Sequence, residues 1–251
     1  MRAVVYEYES THRRLGDILV YSCGFASDAA AKEQGIEAEP VENCLHGLKE
    51  TIRSLCEAVE ADEYKLFLTG KGNFRYAVDP EYKANRKDAP RPYHYEALRQ
   101  YMQKHHPCSV SDGEEADDEL GREQTTASPC STVIISKDKD LDMIEGWHYN
   151  WSKNNKDKGM YFTKRIDALR LFYKQLITGD ATDNIKGVYK LFGRKATKGL
   201  LSPLDDITTE RDMLVYVLHE VYQGDMDLLD KQAKLLWIRT NETWEEHFTN
   251  M

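Results

Sequence analysis

The chain has 251 residues, 41% hydrophobic and 31% charged, with a net charge of −9 at neutral pH. That composition excludes a collagen-like, low-complexity or disordered chain, and no apolar run reaches the roughly 18–20 residues that span a bilayer. Five cysteines (Cys23, Cys44, Cys56, Cys108, Cys130) form no CxxC pair, and the opening MRAVVYEYESTHRR lacks the apolar core of a signal peptide, which together point to a reducing, cytoplasmic setting.

The predicted elements alternate between strand and helix through the first two thirds. Ile18–Tyr21 is a short β-like run, followed by a helix over CGFASDAAAKE. Val41, Leu45, Leu48, Ile52, Leu55 and Val59 recur at three or four residues and predict an amphipathic helix. Residues 64–69 form a strand that stops at Gly70, Pro80–Pro92 is loop-rich, and 93–105 is a helix. Val133-Ile134-Ile135 reads as a buried strand of a parallel sheet. Strands separated by helices imply an α/β fold with a mostly parallel central sheet flanked by helices. From Arg165 the pattern turns helical, with one face of Ile166, Leu169, Phe172, Tyr173, Leu176 and Ile177 and further segments at 215–222 and 228–238. The expected division is residues 1–164 as an α/β region and 165–251 as a helical one.

Charge is unevenly placed. Residues 71–105 hold eight Lys/Arg against four acids, and residues 184–199 hold five Lys/Arg and no acid. Two basic segments on an acidic chain suit a polyanion if they face one groove, although ordinary solvated surface explains them as well.

The acids fall in three clusters. Glu115, Asp117 and Asp118 follow Gly113 at the start of a helix, where acids also simply complement the macrodipole. Asp138 and Asp140 come directly after the buried strand, where α/β proteins place ligands; two residues apart on extended chain, both carboxylates share a side. Asp180 and Asp183 share one tight turn, in which Asp180 equally reads as a cap. Seven carboxylates at one sheet edge repel one another unless a cation sits among them, and oxygen-only donors suit Mg²⁺ or Mn²⁺. A pair of such ions stabilises both the attacking and the leaving oxygen in phosphodiester cleavage.

The order EADD, SKDKDL, GDATDNIKGV, together with GKGNFRYAVDPEYKANRKD, resembles the 5′-nucleases: flap endonucleases, the 5′-nuclease domain of bacterial DNA polymerase I and the small phage 5′→3′ exonucleases. The resemblance spans roughly Gly16 to Trp237. It implies a PIN-like nuclease fold and a divalent-metal-dependent, structure-specific 5′-nuclease that hydrolyses DNA. Glu115, Asp117, Asp118 and Asp138 would surround one metal, and Asp140, Asp180 and Asp183 the second. Lys83 and Arg86 match the basic residues at the base of the family's arch, which draw the scissile phosphate onto the metals. The residues after Asp183 match a helix–three-turn–helix element that grips duplex backbone, here through Lys186, Lys190 and Lys195. A K⁺ ion belongs to that element in the family; Lys190–Ala196 keeps Gly193, Lys195 and Ala196 of its turn but loses the first glycine.

Two further departures concern the metal ligands. The family's first-strand aspartate falls on Leu15, so that either Asp17, two residues later, substitutes as the ligand or the N-terminal segment is rearranged and one ligand is missing; the second-strand aspartate is Thr69, whose hydroxyl would hold a metal-bound water. The implied partner is DNA with a free 5′ end, at a flap, nick or duplex end, with RNA–DNA hybrids as a further substrate. The protein is expected to be a monomer without a membrane partner, in the host cytoplasm if phage-encoded. A catalytically weakened nucleic-acid-binding protein on the same scaffold and a PIN-like ribonuclease are the alternatives.

Overall fold

The computed structural model describes residues 12–86, 89–127, 131–152 and 159–251, with 12–16 as backbone only. The N-terminal segment through Thr11, Cys130 and the side chain of Leu15, where the family's aspartate is lost, lie outside the described residues.

Six strands form one sheet in the order β3-β2-β1-β4-β5-β6: β1 (His12–Gly16), β2 (Lys65–Leu68), β3 (Cys108–Val110), β4 (Thr132–Ile135), β5 (Gly146–Tyr149) and β6 (Met160–Thr163). Every pairing is parallel except β5 with the edge strand β6. The intervening helices are α1 (Asp17–Gln34), α2 (Val41–Ala58), α3 (Arg75–Val78), α4 (Tyr95–His105) and α5 (Ala116–Thr126).

Alternation along the strands supplies both faces of the sheet. Leu66 and Leu68 of β2 and Val133 and Ile135 of β4 join Leu19, Leu48, Ile52 and Met102 of α1, α2 and α4 on one side. Phe67 and Ile134 point the other way, onto Ala116, Leu120 and Ile144. The α/β reading of the sequence is therefore correct.

The first expected strand is not. Ile18–Tyr21 lies inside α1, and the strand is His12–Gly16, placed between β2 and β4. A four-residue apolar run does not distinguish strand from helix. The buried set Val20, Gly24, Ser27 and Ala31 recurs at four, three and four, so the helix period decides.

Beyond the sheet the chain is helical. After α6 (Arg165–Thr178) comes a short hairpin of β7 (Gly179–Asp180) and β8 (Ile185–Lys186), then α7 (Val188–Phe192), α8 (Lys198–Leu201), α9 (Pro203–Asp206), α10 (Glu210–Tyr216), α11 (Met226–Leu236) and α12 (Trp244–Asn250). Phe172, Tyr173, Leu176, Val188, Leu229 and Trp237 share a second core, which also buries Tyr82 from the segment after α3. Gly179 and Gly187 permit the hairpin's close approach to α6: a Cβ on Gly187 would lie 2.0 Å from the Thr178 carbonyl oxygen.

The last helix is fastened by His247, whose ring meets Glu210 at 2.7 Å and Glu242 at 3.1 Å. Burial disfavours the imidazolium, but the hydrogen bond and charge of Glu210, followed by Glu242, outweigh it and raise the pKa. A raised histidine pKa contributes stability that is complete below the ordinary value and is lost as pH rises through the folded-state value. His247→Gln is therefore expected to cost about 1.5–3 kcal/mol at pH 5.5, the worth of hydrogen bonds to a charged group. Urea unfolding at pH 5.5 and 9 checks this, the deficit shrinking at the higher pH.

Candidate active site

The C-terminal ends of the parallel strands meet where the strand order reverses, between β1 and β4, the place at which an open α/β sheet leaves a crevice. A cavity of about 710 Å³ occupies it. Its acids come from remote segments: Asp17 opens α1, Glu115 and Asp117 stand at the start of α5, Asp138 and Asp140 follow β4, and Asp180 and Asp183 lie on the β7–β8 hairpin. Lys83, Arg86 and Tyr82 complete this wall.

Local chemistry sets each placement. The chain bends on either side of Asp138 instead of running on extended through Asp140 as expected. The Asp138 backbone N–H donates to Ser136 Oγ (3.0 Å) and its Oδ1 accepts from the Asp140 N–H (2.9 Å), at the start of a 3₁₀ turn over Asp140–Met143, and both carboxylates line the cavity. Asp180 Oδ1 likewise accepts from Thr182 N–H (2.7 Å) and shapes the hairpin turn.

The basic residues lie on the acids. Lys83 Nζ bonds Glu115 and stands 3.3 Å from Asp183, while Arg86 bonds Asp183 and donates to the Thr182 carbonyl (2.9 Å). Tyr82 OH donates to Asp183 (3.0 Å), with Glu115 at 3.3 Å. Lys83 adopts φ +52°, a left-handed conformation costly for lysine and held here by its N–H bond to the Asp183 carbonyl (2.9 Å). Burial opposes the Lys83 charge, but Glu115 and Asp183 raise its pKa.

The remaining carboxylates are poorly compensated. Burial, then the charges of Asp138 and Glu115, push Asp117 well above the usual carboxylate range. Asp140 is pushed up to about 6 by burial and by Asp138 and Asp180, with the Gln175 amide at 2.6 Å in opposition.

Asp118 does not belong to this cavity. It is fully buried, and both oxygens are taken by the Arg75 guanidinium at 2.6 and 2.8 Å. Burial raises its pKa, and the Arg75 hydrogen bonds and charge more than reverse that. Arg75 also donates to the carbonyls of Leu235 (2.9 Å) and Trp237 (2.7 Å), and Asp118 accepts from Arg239 N–H (3.0 Å). Asp118, expected among the metal ligands, is thus engaged in the core, each oxygen accepting from Arg75 and from a backbone N–H. Nothing in the local sequence marked Arg75 as its partner, 43 residues away.

Asp17 is also corrected. It heads α1 rather than sitting on a strand, with Oδ2 accepting from Thr69 N–H (2.8 Å) and Oδ1 from Arg99 (2.7 Å). Thr69 Oγ1 accepts from Ala116 N–H (3.2 Å) and so also caps α5. Lys186, Lys190 and Lys195 do not line the cavity; they are exposed on β8, on α7 and on the turn after Gly193, whose φ of +67° ends α7.

Residues 17–165, more than half of the chain, match the family described as 5′-3′ exonuclease, N-terminal resolvase-like domain. The chain belongs to this family. Among solved structures, bacteriophage T5 5′-exonuclease with bound divalent metal ions (zinc) is 19% identical with a TM-score of 0.57, over 91% of this chain and 89% of that one. A bacteriophage T5 flap endonuclease pseudo-enzyme–product complex with DNA and metal ions is 19% identical with a TM-score of 0.53, over 90% and 97%. These likenesses establish the shared 5′-nuclease fold.

Among the described residues, no three Asp, Glu, His or Cys side chains stand close enough to hold a metal ion as they lie. The donor set still fits a hard divalent cation. Mg²⁺ keeps several waters and needs only one or two carboxylates, and the crowding that raises Asp117 and Asp140 is the field a cation would relieve.

Removing the charge of Asp118 strands Arg75 in the core, so Asp118→Asn is expected to lower stability by about 3–5 kcal/mol. Asp138→Asn, on an exposed turn beside other acids, should leave stability in a chelator unchanged or raised. Guanidinium unfolding of both variants checks the contrast.

Proposed function

We propose that this chain is a divalent-metal-dependent 5′-nuclease that hydrolyses DNA at or near a free 5′ end, in replication, recombination or repair. The observation that carries the reading is the convergence of six carboxylates (Glu115, Asp117, Asp138, Asp140, Asp180 and Asp183) on one cavity, with Lys83 and Arg86 laid across them.

Asp117, Asp138, Asp140 and Asp180 are the residues that would hold Mg²⁺ or Mn²⁺, two ions in the family's manner. When bound, such ions lower the pKa of water and offset charge developing on the phosphate oxygens. Lys83 and Arg86, which lie on Glu115 and Asp183, would orient a substrate phosphate at the cavity. Tyr82, buried in the helical core, holds Glu115 and Asp183 in position.

Duplex grip falls to Lys186, Lys190 and Lys195, which stand outside the cavity and so contact backbone remote from the reacting bond. The tying of Asp17 to Arg99 favours one second reading, a binding protein with weakened catalysis.

Cleavage of a 5′-labelled flap and a nicked duplex, with and without Mg²⁺, separates the two readings: turnover only with the metal supports the nuclease, and binding without turnover the alternative. Asp117→Asn is expected to abolish turnover while retaining DNA binding. Lys83→Ala should lower kcat more than affinity. Lys190→Ala should weaken binding and reduce its salt slope by about one, measured by anisotropy at several salt concentrations.

A further inference from the structure

At the Asp17 side of the cavity the chemistry changes sign. Arg99 and Arg91 both line the cavity, their guanidinium carbons 5.6 and 4.8 Å from the centre of the Tyr95 ring. Arg99 is locked: one Nη donates to Asp17 (2.7 Å) and the other to the Thr69 carbonyl (2.7 Å). A guanidinium has five N–H donors, so three of those on Arg99 have no partner among the described residues. Besides the Tyr95 ring, the acid partner of Arg91 among the described residues is Glu96 at 3.7 Å, both side chains about two-thirds exposed, a pairing worth little. None of the six carboxylates of the acidic wall bonds either arginine.

The backbone carrying Arg91 is held against α1. Gly24 lets Pro92 pack so close that a Cβ there would lie 2.4 Å from the Pro92 Cβ, and Tyr93 N–H donates to Asp28 (3.2 Å). Tyr21, on the same helix, lines the cavity with its ring 5.5 Å from that of Tyr95 and is 38% exposed.

We propose that Arg99 and Arg91, braced on Tyr95, form a subsite for the terminal 5′-phosphate monoester of the substrate strand. This inference rests on the nuclease reading above and adds a requirement on the chemistry of the end itself. A monoester carries about −1.5 to −2 charges and three acceptor oxygens, against a single charge on an internal diester. Such a group is driven away from the acidic wall; Arg75 is closed off by Asp118 and Lys139 adjoins Asp138 and Asp140, whereas Arg99 and Arg91 line the cavity away from those acids. The planar fork suits phosphate bidentately. Because Asp17, Thr69 and Tyr95 already fix Arg99, little side-chain freedom is lost on binding. Asp17 thereby acts as a positioning residue for Arg99, and the exposed Tyr21 ring offers a stacking face for the terminal base.

The test is anisotropy of the full chain with a 5′-tailed duplex DNA, 3′-labelled on the tailed strand, whose tail ends in either a 5′-phosphate or a 5′-hydroxyl, in EDTA so that no cleavage occurs. The phosphorylated strand is expected to bind about tenfold more tightly. Arg99→Gln should bring the ratio close to one, and Arg91→Ala, at an exposed position that spares folding, should reduce it about threefold. Lys190→Ala should weaken both strands while preserving the ratio. Equal affinity of the unaltered chain for both strands overturns the subsite and leaves the nuclease reading intact. Failure to bind either strand overturns both.

Discussion

The buried ion pair of Arg75 and Asp118 is the contact on which the arrangement of the site depends. Asp118 lies in the first turn of α5 and Arg75 opens α3, and the same guanidinium reaches the carbonyls of Leu235 and Trp237 at the end of α11. One cation thus joins the sheet-side helix to the helical region. Ionic pairing in the core is a poor source of net stability but is costly to break from one side. Its consequence here is positional: with Asp118 turned inward, Glu115 and Asp117 are left at the cavity.

The acids of the cavity are unevenly balanced by its bases. Lys83 and Arg86 neutralise Glu115 and Asp183, whereas Asp117 and Asp140 remain crowded and resist ionisation. A substrate phosphate would compete with Glu115 and Asp183 for the two basic residues, and a metal would compete with the two basic residues for those acids. In the proposed reading, a carboxylate released by Lys83 or Arg86 would be free to meet a hard cation. The strained backbone of Lys83 fits that role, because its conformation is sustained by the Asp183 carbonyl and not by local preference.

The Asp17 side follows different logic. Its acid is satisfied by an arginine and a backbone amide, so it contributes no excess negative charge. One cavity therefore carries an acid-rich wall and an arginine-bearing wall, and Lys186, Lys190 and Lys195 are exposed outside it.

Much of this was legible in the sequence. Periodicity placed α2, α4 and α6 and the strands β2 and β4, because long amphipathic helices and all-β-branched runs carry strong local signals. The seven acids of EADD, SKDKDL and GDATDN announced an oxygen-only site, and six of them line the cavity. What composition and spacing did not contain was which acid faces which cation. Asp117 and Asp118 are neighbours in sequence, yet a helix turns them about 100° apart, so one meets the cavity and the other Arg75. Asp17 and Arg99, 82 residues apart, find each other only once α1 and α4 pack on the same face of the sheet. Residue type determined that the site would be acidic and hard. The tertiary structure decided which charges stay free, because pairing depends on distances that only the folded chain brings down to a few ångströms.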